Sequence, residues 1–266
     1  MRRDGENVAV VICAAGLSGR MGGKKKEFAI LPASSGKCPI SVLGAAARAF
    51  AMCPRIVRIA ITLSPNDKNA ETIARSGLPE ELLKGTWQDR LIFTEGGPTR
   101  RASVHNGLLA VSAGNPDIVL IHDGARPWIK PPLIERVIDA AIRYGAVIPA
   151  LPLVETPKEY SGFSLSHGNA DEAAFIKRHL RRAELCTAQT PQGFRFPEIL
   201  AAHEKAALRE EQEHYEYTDD AEVWGEFIGQ VAVIPGDGEN RKITFPEDLT
   251  TNGEGQNGEY KIRDAE

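Results

Sequence analysis

Cysteine is scarce in this chain. Four occur in 266 residues, Cys13, Cys38, Cys53 and Cys186, with no CxxC pair. Their spacing reads neither as a metal site nor as a disulfide framework, and a reducing cytoplasm is the expected setting. Long apolar runs are missing too, since none approaches the ~20 residues of a membrane helix. Val8–Ala15 after Met1-Arg2-Arg3 has the look of a signal-peptide core, but Asp4 and Glu6 spoil the basic leader and the run flows straight into a glycine loop. Nor is there an excess of one charge: 32 Lys and Arg stand against 36 Asp and Glu, for a net charge of −4. That balance gives no general pull toward nucleic acid or an anionic membrane, so neither is an expected partner and clustered cations are local features. The glycine loop that follows Val8–Ala15 fits neither common phosphate-loop pattern, GxxxxGK[ST] or GxGxxG, and internal repeats and HExxH are absent from the chain. His105, His122 and His203 fit no triad-like pattern and read as structural.

What is present is ordinary globular composition, 42% hydrophobic and 26% charged, in a chain long enough for one large α/β core plus an appendage. The most informative stretch is VAVVICAAGLSGRMGGKKK, Val8 to Lys26. An apolar run ends in a loop with Gly16, Gly19, Gly22 and Gly23, which carries Arg20 and then Lys24, Lys25 and Lys26. Small residues let backbone N–H groups approach a polyphosphate, and the cations supply charge where a triphosphate would lie. The competing reading is a plain strand-to-helix turn with surface lysines.

The rest of the chain alternates short apolar runs with helical stretches. Strands are expected at Val8–Ala15, Val57–Leu63, Leu91–Phe93, Ile118–Ile121, Ala146–Leu153 and Val231–Pro235. Helices are expected at Ser41–Met52, Ser103–Ser112, Pro132–Tyr144, Ile199–Leu208 and Asp219–Phe227. This order predicts a mostly parallel sheet with helices on both faces, and the strands are continuous apolar runs, as when both faces are buried. The rhythm fails at Glu155–Arg182, which is polar and without a clear period, and reads as a protruding arm. One domain is expected over 7–250, followed by a polar, glycine-rich tail over 251–266 that reads as disordered.

In open α/β sheets ligands bind beyond the carboxyl ends of the strands. The residues there are Arg20 and Lys26 after the first strand; Gly96, Gly97, Arg100 and Ser103 in GGPTRRAS; Asp123 and Arg126 in HDGARP; Thr156 and Lys158; and Asp237, Asn240 and Lys242 in GDGENRKIT. Each has a bland alternative. Asp123 suits a turn leading to Pro127, Arg100 and Arg101 suit a solvated helix start, and KRHLRR from Lys177 to Arg182 suits a solvated charge run. As function, a lone carboxylate at a triphosphate suits Mg²⁺, which takes one or two protein carboxylates plus phosphate oxygens.

Taken in order, AAGLSGRMG, KKEF, GGPTRRASV, HDGARP, ETPK, AQTPQGF, TDDA and NRKIT resemble the 2-C-methyl-D-erythritol 4-phosphate cytidylyltransferases, over about Val8 to Leu249. The resemblance implies a Rossmann-like nucleotidyltransferase fold with an arm exchanged in a homodimer. It also implies CTP and methylerythritol phosphate as substrates and Mg²⁺ as cofactor. By motif, Arg20 and Lys26 match the basic pair at the triphosphate. Ala14, Ala15, Gly16, Gly97 and Ser103 match the cytidine and phosphate cradle, and Asp123 the carboxylate associated with Mg²⁺. Thr156, Arg182 and Lys242 match the residues that hold the acceptor phosphate. Arg182 and Lys242 must then meet over the site, unless an exchanged arm delivers Arg182 to a partner.

The chain departs from the pattern in several places. KKE stands where PKQ is usual, Glu155 where aspartate is usual, the arm is longer than typical, and the helix after Pro246 looks truncated. A ribitol-5-phosphate cytidylyltransferase shares these loops, although Ala14-Ala15-Gly16 favours the methylerythritol branch. A catalytically silent nucleotide-binding regulator is the alternative from another class.

Overall fold

A computed structural model describes residues 7–16, 25–31, 39–162 and 173–249. Arg20, Lys24, Cys38, residues 163–172 of the arm and the tail over 251–266 lie outside the described residues.

The first strand, β1 (Val8–Cys13), shows why its apolar run is continuous. Val8, Val10 and Ile12 point into one core, whereas Ala9 and Val11 point into another on the opposite face. All five are buried. A strand covered on both sides has no solvent face on which to place polar residues. One core packs against α1 (Val42–Ala51) and α5 (Pro131–Tyr144). The other packs against α4 (Arg100–Ser112), α6 (Glu198–Glu213) and α7 (Asp220–Phe227). The result is a sheet between two helical layers.

The remaining elements are β2 (Ile56–Leu63), α2 (Ala70–Ser76), α3 (Glu80–Leu83), β3 (Leu91–Glu95), β4 (Ile118–Asp123), β5 (Ala146–Pro152), β6 (Lys158–Ser161), β7 (Phe175–His179), β8 (Cys186–Ala188), β9 (Gln192–Arg195) and β10 (Ala232–Pro235). The main sheet runs β10-β5-β9-β4-β1-β2-β3, with β8 also on β5. β1 pairs in parallel with β2 and β4, β2 with β3, and β5 with β10. β9 lies antiparallel between β4 and β5.

This is the mostly parallel, helix-covered sheet expected from the sequence, with several differences of detail. The polar Glu155–Arg182 segment is not wholly irregular, because β6 and β7 form a two-stranded antiparallel ribbon within it. α6 runs to Glu213, five residues past Leu208, and α4 starts at Arg100, three residues before Ser103. β8 and β9, and the short helices α2 and α3, lie in stretches without a clear apolar period.

Register aligns the strand ends that matter. Cys13 at the end of β1 is opposite Thr62 of β2 and Asp123 of β4, and Leu63 is opposite Glu95 of β3. The loops leaving β1, β2, β3 and β4 therefore emerge side by side. They are stitched together by Ala14 N–H donating to Thr62 O (3.0 Å), Gly96 N–H to Leu63 O (2.7 Å) and Gly124 N–H to Cys13 O (2.9 Å). Glycine is required at the second of these junctions. A Cβ on Gly96 would lie 2.5 Å from Ala15 Cβ and 2.8 Å from Ser103 Oγ.

Candidate active site

At this edge lies a cavity of about 640 Å³, within the range of small-ligand sites. Its walls include Ala15, Gly16 and Lys26 from the loop after β1, Gly97, Arg100 and Ser103 beyond β3, Asp123 at the end of β4, and Lys242. Ser64, Pro65 and Asn66 after β2 also line it, although the sequence did not single them out.

The two described lysines of the first loop have different places. Lys25 Nζ donates to Gly16 O (2.5 Å) and reaches Ala15 O (3.4 Å), so it closes the loop on itself. Lys26 lines the cavity. Ala14 is buried behind the wall, with Ala15 and Gly16 in front of it. Ser103 is also buried, and its hydroxyl shapes the glycine turn: it accepts from Gly97 N–H (3.0 Å) and donates to Thr99 O (2.9 Å).

Asp123 is the electrostatic centre. Lys242 Nζ lies 2.9 Å from its carboxylate, Arg126 Nε 3.5 Å and Arg100 Nη2 3.9 Å. Burial alone would raise its pKa, but the charges of Lys242, Arg100 and Arg126 prevail and hold it well below the usual carboxylate range. The group is an anion at neutral pH. Cys13 also lines the cavity, yet burial pushes its thiol up to about 12, so it is no thiolate nucleophile.

Lys242 reaches Asp123 because the segment after β10 is latched to the middle of the chain. Gln189 Oε1 accepts from Asp237 N–H (3.0 Å), and its Nε2 donates to Asp237 O (2.9 Å). Asn240 Nδ2 donates to Thr190 O (2.7 Å), and Arg126 Nη1 to Asn240 O (2.8 Å). Ile243 N–H donates to Ala125 O (2.9 Å). Thr190 Oγ1 in turn accepts from Asp123 N–H (3.0 Å) and faces His122 Nδ1 (3.1 Å). With His122 Nε2 against Arg126 O (3.2 Å), these partners assign the neutral tautomer protonated at Nε2. The roles of Gln189 and Thr190 are not readable from AQTPQGF alone, because their partners lie about 50 or more residues away.

Thr156 and Arg182 are not brought to this cavity by the described chain. Both are exposed on the arm, and Arg182 Nη1 donates to Val154 O (2.5 Å) instead. Within the one described chain, then, Arg182 and Lys242 do not meet, which leaves delivery of Arg182 to a partner as the expectation. The arm leaves the sheet beyond β5, and Arg182 stays with the arm.

The open strand ends, glycine cradle and cation-lined cavity define a nucleotidyltransferase-like α/β protein. The family model described as 2-C-methyl-D-erythritol 4-phosphate cytidylyltransferase (IspD) matches residues 8–253, and the chain belongs to that family. It is 40% identical to the bifunctional enzyme IspD/IspF of Bradyrhizobium diazoefficiens, over 92% of this chain and 54% of that protein. It is 35% identical to the 2-C-methyl-D-erythritol 4-phosphate cytidylyltransferase of Geobacillus kaustophilus, over 91% of this chain and 94% of that protein. The chain thus spans about half the length of the bifunctional relatives it matches. Among solved structures it is similar to the 4-diphosphocytidyl-2C-methyl-D-erythritol synthase of Anaerococcus prevotii, with a TM-score of 0.68, 26% identity, and 92% and 94% of the two chains covered. For the cytidylyltransferase of Thermus thermophilus the TM-score is 0.63 with 30% identity, covering 91% of this chain and 95% of that one.

Proposed function

We propose that this chain transfers a cytidylyl group from CTP to 2-C-methyl-D-erythritol 4-phosphate. The observation that carries the reading is the convergence of Lys26, Arg100 and Lys242 on one cavity with the Gly97–Ser103 cradle and the ionised Asp123. An oxygen of the acceptor phosphate attacks the α-phosphorus of CTP, forming a new P–O bond. The bond from the α-phosphorus to the bridging oxygen breaks, and pyrophosphate leaves with the electron pair. A phosphate oxygen is already a nucleophile at neutral pH, so no general base is needed. Catalysis is then positioning plus neutralisation of charge between two anions.

Each residue has a place in that account. Ala15, Gly16 and Gly97 present backbone at the nucleotide, Arg20 and Lys26 take the triphosphate, and Lys242 holds the acceptor phosphate. The donor set suits Mg²⁺: among the described residues there is no three-residue metal cage, but one ionised carboxylate faces a cavity fit for phosphate oxygens. Asp123 would hold that ion, which supplies charge neutralisation at the triphosphate when bound.

The working unit in this reading is a homodimer in which the arm supplies Thr156 and Arg182 to the partner's cavity. Exposed Val154 and Phe175 on the arm, 80% and 75% accessible, support an interface there. The proposed setting is the cytoplasm. No described helix is long and apolar enough to cross a membrane, and the described cysteines are free.

Pyrophosphate release, measured with Mg²⁺ and CTP against each acceptor, tests the reading. Turnover is expected with methylerythritol phosphate and much less with ribitol 5-phosphate. Equal use of ribitol 5-phosphate would move the substrate assignment, and no turnover with either acceptor would favour a silent nucleotide-binding regulator.

A further inference from the structure

Helix α4 opens with two adjacent arginines in its first turn, where the helix dipole favours anions. Such a local cost persists where something else repays it, and the two residues are repaid differently. Arg101 is satisfied within the protein: its Nε donates to Glu210 (2.6 Å) and its Nη1 to His203 O (3.1 Å), with the side chain 8% exposed. Arg100 engages the described residues through one nitrogen. Its Nη2 lies 2.8 Å from Asp220 Oδ2 and 3.9 Å from Asp123 Oδ1, while Nη1 and Nε make no hydrogen bond to any described residue. The same side chain lines the cavity.

Asp220 is built to hold that guanidinium. Its side chain is 1% exposed, at the start of α7, and the His203 imidazole lies 3.3 Å from its other oxygen. Burial would raise its pKa, but Arg100 and His203 reverse the shift and keep it ionised. The helix that carries it is itself anchored to the sheet. Gln192 of β9 donates to Asp219 Oδ2 (2.8 Å) and accepts from Ala221 N–H (3.0 Å), and Asp219 caps α7 by accepting from Glu222 N–H (2.9 Å). A buried carboxylate on a pinned helix end thus grips one edge of an arginine and leaves the rest of its fork to the cavity.

We propose that Arg100 contacts the phosphates of the bound nucleotide and that Asp220 is its positioning residue. Asp220 holds the guanidinium toward the triphosphate and off Asp123. Without the Asp220 charge, the nearest carboxylate left to Arg100 is Asp123, and a closed Arg100–Asp123 pair would withdraw a phosphate donor and mask the anion proposed for the cation. The inference rests on the nucleotidyltransferase reading of this cavity.

CTP binding by calorimetry, with and without Mg²⁺ and with no acceptor present, tests it apart from turnover. Asp220→Asn is expected to weaken CTP binding in Mg²⁺ by at least about tenfold, the scale of losing an outer-shell orienting group. Asp220→Glu, which restores the charge, should recover most of that loss. In an Arg100→Ala background, Asp220→Asn should add little further loss, because the residue it orients is gone. Arg100→Lys keeps a charge for Asp220 but loses the fork, and should weaken CTP binding by a similar factor while melting near wild type. That variant decides the matter if Asp220→Asn does not fold. Unchanged CTP affinity in Arg100→Lys, or additive losses in the double variant, would overturn the proposal. Wild-type protein that binds CTP but releases no pyrophosphate would instead count against the catalytic reading and leave this one standing.

Discussion

His122 shows how one buried side chain ties the site to stability. It is fully enclosed, with the Phe50 ring edge-on at 4.9 Å, and burial pushes its pKa down to about 4. In the unfolded chain it titrates near 6.5. A group with a depressed folded pKa binds fewer protons in the native state, so stability rises with pH across that interval. The contribution is fully present above about 6.5 and is lost as pH falls toward about 4. Melting temperature should therefore drop between pH 7 and pH 5, and His122→Asn, which cannot take up that proton, should flatten the slope. Carboxylates such as Asp123 and Asp220, whose pKa values are lowered, act in the same direction but in a lower window, below their ordinary pKa near 3.8. Persistence of the full pH 5–7 slope in His122→Asn would place its origin elsewhere.

At the scale of elements, the cavity depends on how closely the loops pack where the parallel strands end. Gly96 is one of the tight junctions, with Ala15 Cβ, Ser103 Oγ and Leu63 O all in the path of an added methyl group. Two of those neighbours belong to the proposed nucleotide cradle, so Gly96→Ala should both destabilise the fold, by about 1–3 kcal/mol on the scale of overpacking, and raise KM for CTP. A denaturation midpoint and a CTP titration would check the pair; a normal KM would show that the cradle tolerates the shift. The strands that build this edge are legible as sequence because burial on both faces demands unbroken apolar runs, as in Val8–Cys13 and Ile118–Ile121. β9 is not legible in that way. It is four residues, QGFR, hemmed by Pro191 and Pro197, and its place between β4 and β5 depends on partners about 45 to 75 residues back. β6 and β7 escape notice for the opposite reason, since their ribbon is largely exposed and needs no apolar face. The site divides similarly. Residues directly after strands could be collected by rule, whereas Asp220 meets Arg100 across 120 positions and its role exists only once the chain is folded.

At the scale of the whole molecule, the proposed homodimer would combine the cavity of one chain with the arm of the other. Lys26→Ala should lower kcat by roughly 10²-fold, as for loss of a preorganised charge, and Arg182→Ala should raise KM for the acceptor and lower kcat. If arms are exchanged, mixing the two inactive variants and letting subunits reassort gives heterodimers with one intact site of two. About half of randomly reassorted dimers are mixed, so roughly a quarter of wild-type sites should return. Activity that stays at the level of the separate variants would mean that Arg182 does not serve a partner's cavity. The way the arm is rooted bears on its history as well. Pro152 of β5 lies directly opposite Cys186 of β8, with Leu151 opposite Thr187 one rung further in. The excursion therefore departs and returns at a single point on the sheet. Joining ends that already meet is cheap whatever lies between them: each doubling of the enclosed length costs only about 0.6 kcal/mol of closure entropy. A lineage can thus lengthen, shorten or reshape this appendage by insertion and deletion, exploring new modes of assembly while the cavity-bearing half is inherited unaltered.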